Sequence, residues 1–145
     1  MKQVKFFFAA LLCMMTSIAC YADDKIIPVD QLPAEAKAFI QQQFPGKTIT
    51  YAEVDRGFKK TYEARLNDGT KVSFDRKGVW DKVDCHLVAV PADLVPAPIQ
   101  EYVNTSFPGA LIVKIDKERY GYDIELSNDL ELKFNPSGNL LRIGD

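Results

Sequence analysis

The sequence predicts an α+β fold made of two tandem repeats, each a helix followed by about four antiparallel strands. The first observation is an internal match, because residues 28–34 resemble residues 91–97 at an offset of 63 positions. Residues 62–66 resemble residues 122–126 at an offset of 60, so the second copy is three residues shorter. The second observation is that each copy opens with apolar residues at helical spacing. The third is that the rest of each copy alternates apolar and polar residues, as strands do.

The helix of each copy is bounded by the same signals. Pro33 and Pro96 suit the first turn of a helix, where a missing N–H costs little. Asp30 and Asp93 lie just upstream, where an acidic side chain can cap the helix or otherwise favour its N-terminus. A Pro-Gly pair after the last phenylalanine ends each helix. The apolar positions at helical spacing are Leu32, Ala36, Phe39, Ile40 and Phe44 in the first copy and Val95, Ile99, Tyr102, Val103 and Phe107 in the second.

The remainder of each copy is predicted to form four strands. The two central strands of the first copy flank Asn67, Asp68 and Gly69, a strong signal for a tight hairpin. Because neighbouring strands usually pair, we expect the two sheets to join or abut, with both helices on one face and the other face open. The outer strands are predicted at residues 48–55 and 79–88 in the first copy and at residues 111–118 and 140–143 in the second.

The N-terminal segment has the pattern of a secretory signal peptide, predicted to span residues 1–22. Lys2 and Lys5 precede an apolar run at residues 6–15, and small residues lead to a cleavage position after Ala22. The apolar run is shorter than the roughly 20 residues that a membrane span requires. An alternative is a lipoprotein signal, in which Cys20 would carry a lipid anchor. The mature chain, residues 23–145, is expected to be a single domain with repeats at 28–90 and 91–145, and without a transmembrane segment.

Charge and cysteine content narrow the class of protein. Removing Lys2 and Lys5 from 18 basic residues leaves 16 against 20 acidic residues, a net charge of about −4. No basic patch is evident, so nucleic acid is not expected as a partner. Cys85 is the only cysteine after Ala22, which excludes an internal disulfide in the mature chain. Export with a lone cysteine favours the periplasm, secretion or the cell surface.

The central hairpin resembles a known family. Residues 62–78 contain a tyrosine-led strand, an Asp-Gly turn, a second strand ending in aspartate and a glycine turn, which is the PepSY pattern. With the preceding Phe-Pro-Gly, the chain is similar to the PepSY-like family of secreted bacterial proteins, related in fold to the tandem-repeat β-lactamase-inhibitor proteins. The second copy departs from the pattern, since Asp129 stands in place of Gly69 and Asn135 in place of Asp75.

This resemblance says little about function, because the PepSY-like secreted family has no settled activity. PepSY modules occur in propeptides that inhibit proteases, and inhibitor-like relatives bind enzymes through the open sheet face. Such an inference from fold is associational.

The residues themselves indicate no enzyme, cofactor or metal. His86 is the only histidine, and its neighbour Cys85 should point to the opposite face of a strand, so the two cannot easily hold one ion. Cys85 is expected to be a small buried hydrophobe. No nucleophile motif or phosphate loop is present. An acid/base site built from surface carboxylates is a third hypothesis for the function.

The open sheet face is the predicted binding surface. Strand alternation places Tyr51, Lys59, Trp80, Lys82 and His86 on it, and aromatic side chains beside basic ones are typical of protein interfaces. Ile49 and its repeat equivalent Ile112 are assigned to the same face. The alternative for Trp80 is a position at the seam between the repeats. The favoured hypothesis is a non-enzymatic module that binds another exported protein, with an inhibitor-like role as one form of it; the other is a small-ligand protein using the groove between repeats.

Overall fold

A computed structural model describes residues 24–145, so the predicted signal peptide and the alternative lipid anchor at Cys20 lie outside the described residues. Residues 24–145 form one antiparallel sheet of nine strands in sequential order, together with two α-helices. The predicted α+β class is therefore confirmed. Each strand pairs only with its neighbours in the chain, which is the arrangement that successive hairpins produce.

The elements follow one another in an order that places a helix before each group of four strands. The first part contains β1 (Asp24–Ile27), α1 (Ala34–Gln43), β2 (Ile49–Asp55), β3 (Thr61–Leu66), β4 (Lys71–Asp75) and β5 (Trp80–Asp84). The second contains α2 (Ala97–Ser106), β6 (Ile112–Glu118), β7 (Gly121–Leu126), β8 (Glu131–Phe134) and β9 (Leu140–Gly144). Short 3-10 turns at Val29–Gln31 and Ala92–Leu94 precede the helices. The sequence did not predict β1, and β5 ends at Asp84 rather than at the expected residue 88.

One hydrophobic core lies between the sheet and both helices. Alternate strand residues such as Val72, Phe74 and Leu132 are fully buried, and they pack with Ile40 of α1 and Ile99 of α2. The residues between them are half-exposed, as expected when one face of a sheet is covered and the other is not. We call the face opposite the helices the outer face.

Four β-bulges interrupt the strand alternation. They lie at Ile49/Tyr51 in β2 and Ile112/Lys114 in β6, and opposite Ser73/Phe74 and Lys133/Phe134. Each bulge inserts one extra residue, so the side chains beyond it change face. The bulges occupy corresponding places in the two halves of the sheet.

The structure matches the predicted C-terminal ends of both helices more closely than their predicted N-terminal ends. Phe44 and Phe107 are the C-cap residues of the two helices, and Gly46 and Gly109 adopt φ angles of +80° and +85°. Pro33 and Pro96 occupy the N-cap positions. The predicted capping by Asp30 and Asp93 is wrong, because both lie within the 3-10 turns and neither helix has a side-chain cap.

The departures of the second copy from the PepSY pattern leave the turns unchanged. Asp129 adopts a left-handed φ of +68°, as Gly69 does at +90°. The Oδ1 atom of Asp75 accepts hydrogen bonds from the N–H groups of Lys77 and Val79, and Oδ1 of Asn135 accepts the equivalent pair from Ser137 and Asn139. An amide oxygen thus replaces a carboxylate oxygen without altering the loop.

Candidate functional site

The outer face is a polar surface that crosses the sheet from edge to edge. Strand pairing sets its side chains in rows, because directly paired residues in antiparallel strands point to the same side. One row begins at Tyr51 on β2, which is paired with Arg65 on β3, and Arg65 is paired with Lys71 on β4. The row continues through Asp84, Lys114 and Glu125 on the next three strands.

Ion pairs between strands hold many of these side chains in place. Lys82 Nζ lies 2.9 Å from Asp116 Oδ2 and joins β5 to β6, the strands at which the two halves of the sheet meet. The hydrogen bond to Asp116 raises the pKa of Lys82 above its ordinary value. Equivalent pairs join Lys114 to Glu125 at 3.3 Å and Lys133 to Asp123 at 2.7 Å. Each pair is half-exposed, so it orients side chains more than it stabilises the fold.

Tyr51 and Arg65 form the one aromatic feature of this row. The guanidinium carbon of Arg65 lies 5.6 Å from the centre of the Tyr51 ring, within the range of a cation–π contact. Arg65 Nη2 also lies 3.8 Å from Glu63 Oε1. Arg65 Nε is buried and has no hydrogen-bond partner among residues 24–145. An arginine positioned against an aromatic ring is a frequent interface anchor.

Trp80 does not lie on the outer face, so its predicted position is wrong. The bulge in β5 makes Asp81 the extra residue, and Trp80 becomes the partner of the fully buried Phe74. Its ring stacks on Phe39 of α1 at a centroid distance of 5.9 Å. Bulges in β2 and β6 also make the predicted outer-face positions of Ile49 and Ile112 wrong. These residues pair with the buried Leu66 and Leu126 and pack toward the helices.

Trp80 marks the seam between the two halves on the helix side. Lys117 of β6 places Nζ 3.6 Å from the centre of the indole ring. Desolvation of this amino group lowers the pKa of Lys117, although the residue as a whole is exposed. Burial, together with the neighbouring carboxylate of Asp116, raises the pKa of Asp81. This seam position is the alternative that the sequence left open for Trp80.

The other four predicted binding residues do not all lie on one surface. Lys82 is on the outer face with Tyr51, whereas Lys59 is exposed in the loop between β2 and β3. His86 lies beyond the end of β5 in a left-handed conformation with φ of +58°. Its Nε2 is 3.0 Å from the Gly69 carbonyl oxygen and its Nδ1 is 3.4 Å from Asp84 Oδ1. The structure therefore brings only two of the five predicted residues onto one surface.

A second concave feature lies where the chain passes from β5 to α2. This connector cleft has a volume of about 580 Å³ and is bounded by the end of α1, the β3–β4 turn and residues 85–91. Leu87 is 88 % exposed and Val88 is 56 % exposed at its rim. Lys47 and Asp68 form an ion pair of 3.5 Å beside it. The sequence signal for this cleft is the apolar run at residues 87–90, but strand alternation predicts that its first residues belong to the last strand of the first repeat.

Cys85 and the acidic side chains of residues 24–145 are spread over several parts of the sheet. Cys85 is buried, as predicted, and burial raises the pKa of its thiol. Four carboxylates, those of Asp24, Glu53, Asp55 and Glu63, line a cavity of about 180 Å³ near the β1 edge. Within residues 24–145, no three His, Cys, Asp or Glu side chains are close enough to hold a metal ion. In the same range, no helix has the length and apolar character needed to cross a membrane.

Comparison with known proteins identifies relatives over most of the chain. The profile of a family described as "Putative beta-lactamase-inhibitor-like, PepSY-like" matches residues 60–142. A Bacteroides thetaiotaomicron structure described as a "putative calcium-regulated periplasmic protein" is 42 % identical, with a TM-score of 0.80, covering 85 % of this chain and 98 % of its own. No curated protein matches the sequence.

Two Bacteroides vulgatus structures are also similar to this chain over most of its length. One, described as a periplasmic protein of the DUF2874 family, is 39 % identical with a TM-score of 0.78, and covers 85 % of this chain and 98 % of its own. The other, described as a periplasmic protein of unknown function, is 30 % identical with a TM-score of 0.81, and covers 84 % of this chain and 99 % of its own. All three share the fold and the described location.

Proposed function

Because this chain belongs to the beta-lactamase-inhibitor-like, PepSY-like family and is a periplasmic protein, we propose that it is a non-enzymatic module that binds another exported protein through its outer face. The observation that carries this proposal is a nine-stranded sheet with both helices packed on the same side. The opposite side presents half-exposed side chains held in rows. No enzyme family is indicated for the chain or its neighbours.

The rigidity of the outer face supports this proposal. Binding costs less conformational entropy when the contacting side chains are already ordered. Ion pairs hold Lys82, Lys114 and Lys133, and the Tyr51 ring restrains Arg65. The mixture of both charge signs favours a partner surface with complementary charges, and such complementarity contributes mainly to specificity and to the association rate.

We infer that the rigid sheet arose from two tandem helix-plus-four-strand repeats. The support is the element order, in which α1 precedes β2–β5 and α2 precedes β6–β9, together with bulges at corresponding places. The matched turns at Asp75 and Asn135 add to it. Joining two such units edge to edge makes the outer face continuous across nine strands.

Site-specific photo-crosslinking tests the outer-face proposal. A photoreactive residue at Lys71, in the centre of the outer face, should yield a discrete adduct with an exported protein of the native host. The matched position is Glu101, which is exposed on α2. Tyr51→Ala should reduce the Lys71 adduct at least about tenfold if the tyrosine is an interface anchor, whereas Gln41→Ala on α1 should not. Adducts from Glu101 alone, or equally from both positions, would contradict the proposal.

The connector cleft favours a second candidate, the binding of a small ligand. Its volume of about 580 Å³ lies within the usual range of ligand sites, and Phe44, Leu87 and Val88 give it apolar walls. Its lining residues come from the first repeat and the connector, with Pro91 the one contribution from residues 91–145.

Thermal denaturation distinguishes this candidate, since a ligand that binds only the folded state raises Tm by mass action. The panel contains small apolar and amphiphilic molecules, and also calcium, because one 42 % identical neighbour is described as calcium-regulated. A cleft ligand should raise Tm for the wild type and not for Leu87→Asp, with Phe58→Asp in the exposed β2–β3 loop as a control away from the cleft. If no compound shifts Tm, the small-ligand candidate is rejected.

A further inference from the structure

The two edges of the sheet differ in how well they are protected. At one edge, β1 is four residues long and exposes the charged side chains of Asp24 and Lys25 together with 66 % of Ile26. Lys25 is paired with the buried Val54, so it points toward the core side, and an inward charge of this kind blocks strand addition. At the other edge, β9 exposes Leu141 by 57 % and Ile143 by 46 %. Alternate residues of an edge strand also direct N–H and C=O groups away from the sheet.

The charges beside β9 are left unbalanced. Arg142 is paired across the sheet with Lys133, a like charge, and Lys133 uses Asp123 as its carboxylate partner. Among residues 24–145, neither Arg142 nor Glu131 forms an ion pair, whereas Lys82, Lys114 and Lys133 all do. Arg142 and Glu131 are thus free to pair with charges of opposite sign at the edge of the sheet where a further strand would lie.

We propose that β9 pairs with β9 of a second copy of this chain, antiparallel and about a twofold axis at Ile143. In this register the two Ile143 side chains meet on the helix side. Arg142 lies opposite Gly144 of the second copy, whose own strand partner is Glu131. Gly144 has open space where a side chain would be, so the arginine can extend across it to that glutamate. Two strand spacings are about 10 Å, within the combined reach of the two side chains.

The twofold arrangement gives both Arg142 and Glu131 a partner of opposite charge. Because the contact is isologous, each copy supplies one Arg142 and one Glu131, giving two ion pairs across the axis. The apolar Ile143 pair and the free backbone groups of β9 are covered at the same time. The edges that remain are the two β1 strands, which carry inward charge, so assembly ends at the dimer. The outer faces of the two copies then form one continuous surface.

Sedimentation of the purified protein from micromolar to millimolar concentration tests the dimer. Arg142→Glu and Glu131→Arg should each weaken association at least about tenfold, because each places like charges across the axis. The double variant should restore association, which loss of folding in a single variant could not mimic. Lys71→Glu, also on the outer face but far from the edge, should have no effect. A protein that stays monomeric throughout, or a double variant that does not recover, would overturn the proposal.

A crosslink tests the register independently. Paired residues in an antiparallel ladder have Cα atoms about 4.5 to 5.5 Å apart, within the range of a disulfide. Ile143→Cys should therefore give a covalent dimer on mild oxidation, and the buried Cys85 should not interfere. Leu111→Cys, 44 % exposed in the wild type, is the matched control away from β9. Equal rates of crosslinking in the two variants would refute the twofold axis at Ile143.

Discussion

Trp80 shows how one inserted residue decides what a side chain does. Asp81 is the extra residue of the bulge in β5; in a strand of the same sequence that alternated regularly, Trp80 would lie on the outer face with Lys82. With it, the indole ring lies between Phe39 of α1 and Lys117 of β6. The tryptophan therefore links the first helix to the second half of the sheet, and we expect its main contribution to be to stability rather than to binding.

Replacing Trp80 with alanine should lower the free energy of unfolding by about 2–4 kcal/mol, since a largely packed aromatic ring is removed. Urea denaturation followed by circular dichroism measures this change. Tyr51→Ala on the outer face is the matched control and should cost about 1 kcal/mol or less. Equal losses in the two variants, or no loss for Trp80→Ala, would show that the seam does not depend on the tryptophan.

Among the elements, each helix start is locked to a hairpin turn. Gly78, after β4, has a φ of +86°, and a Cβ atom there would lie 2.7 Å from Cβ of Pro33. Gly138, after β8, has a φ of +83°, and a Cβ atom would lie 2.8 Å from Cβ of Pro98. Both turns require glycine for two reasons, the left-handed backbone and the contact with the helix. The turn therefore helps to position the helix over the sheet.

The contribution of that contact can be separated from backbone strain. Gly46 also has a positive φ, of +80°, but a Cβ atom there would have no other atom within 4 Å, so Gly46→Ala should cost only the backbone contribution of about 1 kcal/mol. Gly78→Ala should cost about 1–3 kcal/mol more, because Pro33 must move. The measurement is the difference in unfolding free energy between the two variants. A difference near zero would mean that the helix shifts without cost.

For the molecule as a whole, the proposed function depends on the two halves forming one sheet. The β5–β6 pairing joins them through Lys82, Val83 and Asp84, and the Lys82–Asp116 ion pair lies on the outer face at this junction. A single sheet makes the outer face rigid across both halves. It also leaves only two edges in residues 24–145, and their different chemistry is the basis of the dimer proposed through β9.

The α+β class, both helices and the central hairpins could all be predicted from the amino-acid sequence alone. These features depend on local rules: proline and glycine at helix ends, alternation along a strand, and turn residues such as Asn67 and Asp68. The same rules predicted the burial of Cys85 and the outward position of Tyr51 and Lys82, because those residues lie in unbroken alternation with the core.

Which side chains share a surface was settled by the pairing of strands in three dimensions. A bulge shifts the alternation by one residue without a distinctive sequence signal. Trp80, Ile49 and Ile112 therefore lie on the helix side of the sheet and not on the predicted outer face. The strand β1, the connector cleft and the exposed β9 edge likewise depend on contacts between segments distant in the chain. Local sequence patterns determine whether neighbouring side chains point to the same side or to opposite sides. Pairing between strands determines which of those sides faces the core and which faces the solvent.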